Sequence, residues 1–455
     1  MEKTIAAIST APAPGGIGIV RISGGEAFAV AEKVFRGVSG KKLSQMKGYT
    51  AQLGGAYTPG GEKLDDVVAL VYRGPKSYTG EDVVELSCHG GLYMTKRLLQ
   101  LVLDAGAAPA GPGEFTRRAF LNGKMDLAQA EAVMGLISAS GEQARKAALA
   151  GSTGVLSRKI ESIKQGLLEQ AAHLAAWADF PEEDVPQVEE AALLEGIRQG
   201  EKALEELLQG FDRGRMYREG LVTVIAGRPN AGKSTLMNLL SGCQRSIVTQ
   251  YAGTTRDVVE ETVMVAGVPL RLADTAGIRD TDDPVESIGV QAARQRLETA
   301  QLVLAVFDSS QALEKEDWEL MDALEKVPAI AIVNKSDLPT RMDVEAIQKR
   351  FEKTVSLSAA TGEGLAALEQ SLSEILDTKD FHPQEGVLFT QRQRMDAQTA
   401  LDSLREGEQA LVLGLTLDAV TVCVEDALHA LAALTGEQVS EEIVDRVFEE
   451  FCVGK

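Results

Sequence analysis

Cysteine is scarce here. The four residues at positions 88, 243, 423 and 452 are scattered and form no CxxC pair, which excludes a disulfide framework and a cysteine zinc site. Long apolar runs are missing too. Nothing approaches the ~18 residues that a membrane span needs, and the opening "MEKTIAAIST" has neither the basic start nor the apolar stretch of an export signal. These absences lead us to expect a cytoplasmic chain in a reducing compartment, without a membrane partner. Positive charge is also in short supply: 46 Lys and Arg against 67 Asp and Glu leave a net charge of −21. Such a surface repels phosphate backbones, so action on nucleic acid would need a local basic patch or a basic partner. Repeats and low-complexity segments are absent from the sequence.

What is present sorts into three textures, as a chain of 455 residues, too long for one core, leads one to expect. Short β-rich runs such as "GIGIVRIS", "DDVVALVYRG" and "EDVVELSCHGG", broken by Gly and Pro, predict a mixed α/β domain over residues 1–118. "LAQAEAVMGLISA" and "IESIKQGLLEQAAHLAAWADF" then repeat apolar residues at helical spacing, predicting a first helical segment over 119–215 with a break at "DFPEEDVP". Apolar strands alternate with helices over 216–378, and helical texture returns over 379–455. The simplest organisation is a discontinuous helical domain with an α/β domain inserted between its halves. "FDRGRMYREG" and "DTKDFHPQEG" read as the hinges.

The inserted domain carries the chemistry. "LVTVIAGRPNAGKSTLMNLL" reads as strand, glycine-rich turn and helix start, and it contains Gly227-x4-Gly232-Lys233-Ser234. The glycines let successive backbone N–H groups converge on phosphate oxygens, and the helix start adds the positive end of its dipole. There Lys233 reaches the β and γ phosphates and the Ser234 hydroxyl ligates Mg²⁺. Four further elements follow in order. "AGTTRD" supplies Thr255, a second Mg²⁺ ligand and γ-phosphate sensor; "LRLADTAG" supplies Asp274 for the metal shell and the Gly277 amide for the γ phosphate. "AIAIVNKSD" supplies Asn334, Lys335 and Asp337. A carboxylate at Asp337 accepts from the ring N–H and exocyclic amine of guanine together, a pair that adenine lacks, so the set selects GTP. "VSLSAATG" adds Ser358 and Ala359 beside the base. Asn230, Ala231, Thr235, Thr275 and Ala276 fill out the GTP contacts within these motifs.

These five motifs resemble the Ras-like P-loop GTPases of the translation-factor branch. Where such proteins commonly place a water-orienting Gln after "DTAG", this chain has Ile278, which cannot orient water. Arg256 and Arg279 could serve as arginine fingers or as ordinary salt-bridge cations. A more specific resemblance rests on "GRPNAGKS", "GTTRD", "DTAG", the insertion between helical segments, "GEFTRRAFLNGKMDLAQAEA" and the terminal "CVGK". Together they are similar to the MnmE (TrmE) family of tRNA-modification GTPases, over essentially the whole chain.

That resemblance implies a GTPase activated by K⁺, with Asn230, Thr249, Tyr251 and Thr254 around the ion, and Thr249 and Thr254 also near the nucleotide. A monovalent cation there offsets charge developing on the transferring phosphoryl group, the task of an arginine finger. It implies Glu286 in "DPVESIG" as the water-orienting carboxylate, although by itself Glu286 reads as a helix-start acid. It implies a dimeric, folate-binding N-terminal domain that takes 5-formyl-tetrahydrofolate or a related one-carbon folate, with Arg21, Glu85, Lys124 and Lys455 in contact. Cys452 stands beside that site, as a nucleophile or in a packing or positioning role. The activity implied is GTP hydrolysis during addition of aminomethyl or carboxymethylaminomethyl groups at carbon 5 of the tRNA wobble uridine. It is shared in a heterotetramer with the FAD-dependent MnmG protein, which would carry most of the tRNA contact. The competing reading is a ribosome-assembly or signalling switch that modifies no nucleotide.

Two departures stand out: Val453 replaces the usual Ile of the terminal tetrapeptide, and "TQRQRMDAQ" lacks the histidine expected there. The short basic runs "RRAF" and "QRQR" read as solvated helix faces, His89 as structural and Cys88 as a small core residue.

Overall fold

Alternation at a period of two turns the N-terminal runs into strands, with one face of each apolar and the other polar. The computed structural model describes residues 3–179, 190–243, 261–272, 300–375, 382–449 and 451–454. Its strands are β1 (Ile5–Ile8), β2 (Ile17–Ser23), β3 (Phe35–Gly37), β4 (Thr50–Tyr57), β5 (Lys63–Tyr72), β6 (Val83–His89) and β7 (Ala108–Pro109), then β8 (Leu221–Ala226), β9 (Glu261–Val265), β10 (Val268–Leu272), β11 (Leu302–Asp308), β12 (Ala329–Asn334) and β13 (Lys353–Ser356). The helices are α1 (Ala27–Val34), α2 (Leu92–Asp104), α3 (Glu114–Leu121), α4 (Leu127–Ser138), α5 (Glu142–Ser152), α6 (Val155–Asp179), α7 (Glu190–Glu219) and α8 (Lys233–Cys243), followed by α9 (Lys315–Ala323), α10 (Val344–Gln348), α11 (Leu365–Ile375), α12 (Gln391–Val412), α13 (Leu417–Thr435) and α14 (Glu441–Glu449).

One compact unit gathers residues 1–134, 152–201 and 390–455. Its seven strands lie in the order β3-β4-β5-β6-β2-β1-β7 and are antiparallel except for the parallel β1–β7 pair. Val20 opposite Leu86 and Ile22 opposite Val84 face the core that α1 and α2 cover, with Val30, Val34, Leu98 and Val102. One residue out of phase, Arg21 pairs with Glu85 on the other face. A second small core there joins Ile5 and Ala7 to Phe115 of α3. The helical segments from both halves of the chain meet in this unit. Lys164 of α6 bonds Glu437 beyond α13 at 2.6 Å, and Gly407 of α12 brings its backbone close to Cys423 of α13, where a Cβ would stand 3.2 Å from the Cys423 Cβ.

The other unit holds residues 135–151 and 202–389. Its six strands run β13-β12-β11-β8-β10-β9, all parallel but for the β9 edge. Central β11, "LVLAVFD", is buried at every position, as a parallel strand covered on both faces must be. Phe307, Met321, Val333 and Phe351 centre the core on one face. Order reverses at β8, which has β11 on one side and β10 on the other, and open α/β sheets bind ligands outside the carboxyl ends of strands at such a point.

The segment "FDRGRMYREG", read above as a hinge, is the continuous end of α7; only Gly220, with φ +75°, leaves the helix. Arg, Met and Glu favour helix enough to outweigh one internal glycine. Residues 377–381 of "DTKDFHPQEG" lie outside the described part.

Candidate functional site

β8 delivers the chain to the turn at Gly227–Gly232, and α8 begins at Lys233. Gly227 (φ +153°), Asn230 (φ +60°) and Gly232 (φ +101°) all use positive φ, where glycine is favoured and asparagine is tolerated. A Cβ at Gly227 would collide with the Val306 carbonyl of β11, and one at Gly232 with the side-chain amide of Asn334. The turn is therefore pressed against the sheet at both ends. Lys233 Nζ donates to the carbonyls of Gly227 at 2.8 Å and Arg228 at 2.7 Å, which holds the ammonium across the loop. Ser234 and Thr235 are exposed on the first turn of α8. A glycine cradle, a helix start and a held ammonium fit polyphosphate. Ser234 offers a hydroxyl to a divalent cation, and among the described residues no cluster of His, Cys, Asp or Glu offers another metal site.

The base side is stitched to this loop by one buried residue. Asn334, 2% exposed at the end of β12, donates from Nδ2 to the Ala231 carbonyl at 2.8 Å. Its Oδ1 accepts from the Ala359 amide at 2.9 Å. Lys335 (φ +62°) pairs with Asp308 at 2.6 Å. Burial opposes the Asp308 charge, but the Lys335 and Ser310 hydrogen bonds outweigh it and hold the carboxyl below its ordinary value. Ser358 is fully buried and its hydroxyl accepts from the Thr361 amide at 3.3 Å. Asp337 is exposed, with no hydrogen bond or ion pair among the described residues.

Arg228, which the motif leaves unspecified, reaches out of the loop to the start of α9. Its guanidinium bonds Glu314 at 2.7 Å and Asp317 at 2.9 Å, and Asp317 is 2% exposed. The pattern Gly-x4-Gly gives no signal for this residue, whose two acidic partners lie far along the chain and meet it only in three dimensions.

On the N-terminal sheet, Arg21 donates from Nε to Glu85 at 2.9 Å and from Nη1 to the Gly454 carbonyl at 3.4 Å. Its guanidinium lies 5.7 Å from the Tyr78 ring centre and 5.5 Å from that of Phe115. Tyr72 donates to the other Glu85 oxygen at 3.4 Å. Arg21, Tyr72, Tyr78, Val83 and Glu85 line a cavity of about 150 Å³. Burial raises the Tyr78 phenol above its ordinary value, against the lowering influence of Thr116 and Arg21.

The tail is docked beside this cavity. Phe448 and Phe451 are buried with ring centres 5.0 Å apart. Val453 pairs with Pro112 as a β-bridge, the Gly113 amide donates to the Cys452 carbonyl at 3.3 Å, and Ser9 donates to the Gly454 carbonyl at 3.0 Å. Gly454 adopts φ +98° with its Cα against the Ile8 carbonyl, so no larger residue fits. Cys452 is exposed.

A protein-family model described as "MnmE helical domain" matches residues 127–452, and one described as "GTP-binding protein TrmE N-terminus" matches residues 4–124. The chain belongs to the MnmE family. A relative named tRNA modification GTPase MnmE, from Symbiobacterium thermophilum, is 45% identical over the full length of both chains. Its namesake from Alkaliphilus oremlandii is 42% identical, again over all of both. Among solved structures, Era of Aquifex aeolicus aligns at 27% identity over 42% of this chain and 67% of its own, with a TM-score of 0.28.

Of the residues that the MnmE resemblance singled out, the structure brings Arg21 and Glu85 into direct contact and adds the Gly454 carbonyl to them. Lys124 takes a different partner, its Nζ donating to the Pro75 carbonyl at 2.9 Å. Thr249, Tyr251, Thr254, Thr255, Asp274, Thr275, Ala276, Gly277, Glu286 and Lys455 lie outside the described residues, as do Arg256, Ile278 and Arg279. Cys88 is buried, its thiol pushed up to about 11 by burial and the nearby Asp65 charge, and His89 is exposed and paired with Asp65 at 2.7 Å.

Both basic runs read as solvated faces are corrected. Arg118 is 4% exposed and bonds Glu81, Glu114 and the Lys3 carbonyl; Arg117 pairs with Asp445. In "QRQR", Arg392 bonds Glu131 at 2.7 Å and the Ala433 and Leu434 carbonyls at 3.0 Å, and Gln393 is fully buried against Glu131. Each cation is satisfied by carboxylates and carbonyls of remote segments, which local composition cannot register.

Proposed function

We propose that this chain is a GTPase acting in tRNA modification, with GTP hydrolysed at the phosphate loop during carbon-5 modification of the wobble uridine. The observation that carries the nucleotide half is the Asn334 side chain, which fixes the phosphate loop and the Ala359 loop at once. Asp337 beyond it is left open for the guanine edge. Lys233 would turn from its loop carbonyls to the β and γ phosphates. Ser234, with Thr255 and Asp274, would hold Mg²⁺, and Asn230, with Thr249, Tyr251 and Thr254, would hold K⁺. These cations would offset charge that develops on the phosphoryl oxygens. Glu286 would orient the attacking water in place of the missing glutamine.

On the N-terminal domain, Glu85 and Arg21 would hold a one-carbon folate, which supplies the carbon unit, with Lys124 and Lys455 toward its anionic end. A pterin presents paired donors to a carboxylate. We further propose a homodimer that works in a heterotetramer with a flavin-dependent partner of the MnmG type. Support for this half is the family membership and the full-length likeness to relatives named for tRNA modification.

The test is to delete the gene and examine tRNA nucleosides by mass spectrometry. Loss of the carbon-5 groups on wobble uridine is expected. Unchanged wobble uridines would overturn the modification reading in favour of a GTPase switch.

A further inference from the structure

Against a chain-wide charge of −21, residues 33–47 ("KVFRGVSGKKLSQMK") carry five cations and no carboxylate. The fold turns this run into a concavity. α1, β3 and the following loop enclose a groove of about 450 Å³ whose charged lining is Lys33, Arg36, Lys41, Lys42 and a single acid, Glu32. One Glu32 oxygen is already occupied by the Ser44 amide at 2.7 Å. Lys33 is held at the rim by the Ala105 carbonyl at 2.8 Å, and the Arg36 guanidinium lies over the Tyr57 ring, 4.7 Å from its centre. Lys41 and Lys42 are exposed, with no carboxylate partner among the described residues. The acids on the neighbouring β5 strand are engaged elsewhere, Asp66 by Lys63 and Asp65 by His89.

Four cations line one concave surface, two of them held in place and two exposed, an arrangement suited to an anion. The groove's volume falls in the range of a ligand cleft, wide enough for a phosphate and its sugar. An acidic protein that must approach a polyanion needs its charge inverted at the point of contact, because the phosphate backbone dominates affinity. We propose that this groove takes the phosphate backbone of tRNA, so that the chain itself contributes an RNA contact instead of leaving all of it to a partner. The proposal rests on the tRNA reading above and assigns that reading a surface. Arg36 and Lys33, already oriented, set the position of a phosphate, and Lys41 and Lys42 close on it from the loop. No base edge is read there, so the contact is independent of sequence.

The test uses the full chain and an unmodified tRNA transcript, with binding followed by fluorescence anisotropy as salt is raised. For Lys41→Ala with Lys42→Ala, the slope of log affinity against log salt is expected to fall by about 1.5–2, the loss of two phosphate contacts. Lys41→Glu with Lys42→Glu should weaken binding further. GTP turnover and thermal unfolding should be unchanged in both. A control pair, Lys315→Glu with Lys326→Glu, makes the same charge change on an exposed surface of the other unit. An unaltered slope in the alanine pair overturns the proposal. So does an equal loss in the control pair, which would reduce the effect to net charge. Loss of a co-purifying acidic protein with tRNA binding intact overturns it in favour of a protein partner, and transfer of the effect to anionic vesicles in favour of a membrane surface. Cells carrying the glutamate pair separate this proposal from the one it rests on. Normal wobble nucleosides together with unaltered tRNA binding would remove the groove and leave the modification reading standing.

Discussion

Arg228 Nε of the phosphate loop donates to the buried Asp317 carboxylate at the start of α9, 3.0 Å away and 89 positions along the chain. Through this bond the loop carbonyl that holds Lys233 is anchored to a helix that touches no nucleotide motif. Asp317 also closes the α9 start, accepting from the Glu314 amide at 3.0 Å. We predict that Asp317→Asn lowers stability by about 1–3 kcal/mol, as expected for a charged hydrogen bond at a buried group. It should also raise KM for GTP more than it lowers kcat, because the loop loses its anchor and keeps its groups. Urea unfolding and steady-state turnover check both; an unchanged KM would limit the bond to a structural role.

Asn334→Ala removes two hydrogen bonds from a site that is 2% exposed and leaves the Ala231 carbonyl and Ala359 amide unpaired. Each buried orphan costs about 1–3 kcal/mol, so GTP and GDP affinity should both fall by at least tenfold. Asp337→Asn is the sharper test. An amide can donate where the carboxylate only accepts, so it should disfavour guanine and favour xanthine, whose ring carries an oxygen in place of the exocyclic amine. Turnover of GTP and of xanthosine triphosphate, compared in the same variant, reads the exchange.

Asp308 sets an acid limit. Its folded value lies below the ordinary 3.8, so the ionised carboxylate contributes stability above that pH. The contribution fades as pH falls through the lowered value, because the unfolded chain then binds the extra proton. Asp308→Asn should therefore flatten the stability profile between about pH 5 and pH 2 relative to the native chain. Denaturant titrations at several pH values measure this, and parallel profiles would remove the Lys335 pairing as its source.

Glu131→Ala should be the costliest of these substitutions. Its carboxylate, 4% exposed, accepts from Arg392, Thr390 and Gln393. Removing it leaves Arg392 with Asp396 and the Ala433 and Leu434 carbonyls but takes away its bidentate partner and a hydrogen bond of the buried Gln393, a loss of about 2–4 kcal/mol. Glu131→Gln keeps the shape and should cost less. Thermal and denaturant unfolding distinguish the two variants.

Gly454→Ala tests the tail. With φ +98° and the Ile8 carbonyl against its Cα, the added Cβ must expel the segment. The folded body should remain, with a stability loss of about 1–3 kcal/mol, while binding of 5-formyl-tetrahydrofolate falls. Cys452→Ser, at an exposed position, should leave both untouched. Full tRNA modification by that variant would exclude nucleophilic chemistry at the thiol.

The phosphate loop was legible in the sequence because its chemistry is local: six consecutive positions fix the turn, and the strand and helix on either side frame it. The placement of Asn334 was legible for the same reason, at the end of an apolar strand. Arg228, Arg118 and Arg392 were not. Their partners lie 89, 37 and 261 positions away, and a cation's burial depends on what those remote segments bring to it. The end of α7 was misread because polar, charged texture with a glycine marks a loop and an exposed helix alike. At the tail, the resemblance pointed to Cys452 and Lys455, but it is the unremarked Gly454 whose carbonyl meets Arg21.

The bond between Ser9 and Gly454 spans 445 positions. Synthesis makes the strands of the N-terminal sheet long before Gly454, whose carbonyl reaches Arg21 across 433 positions. Until then, Arg21 and Glu85 have each other but lack the carbonyl that completes their shell. The Arg21–Glu85 pair therefore waits on a segment 433 positions away, and a chain cut before Phe451 should keep the sheet and lose that contact.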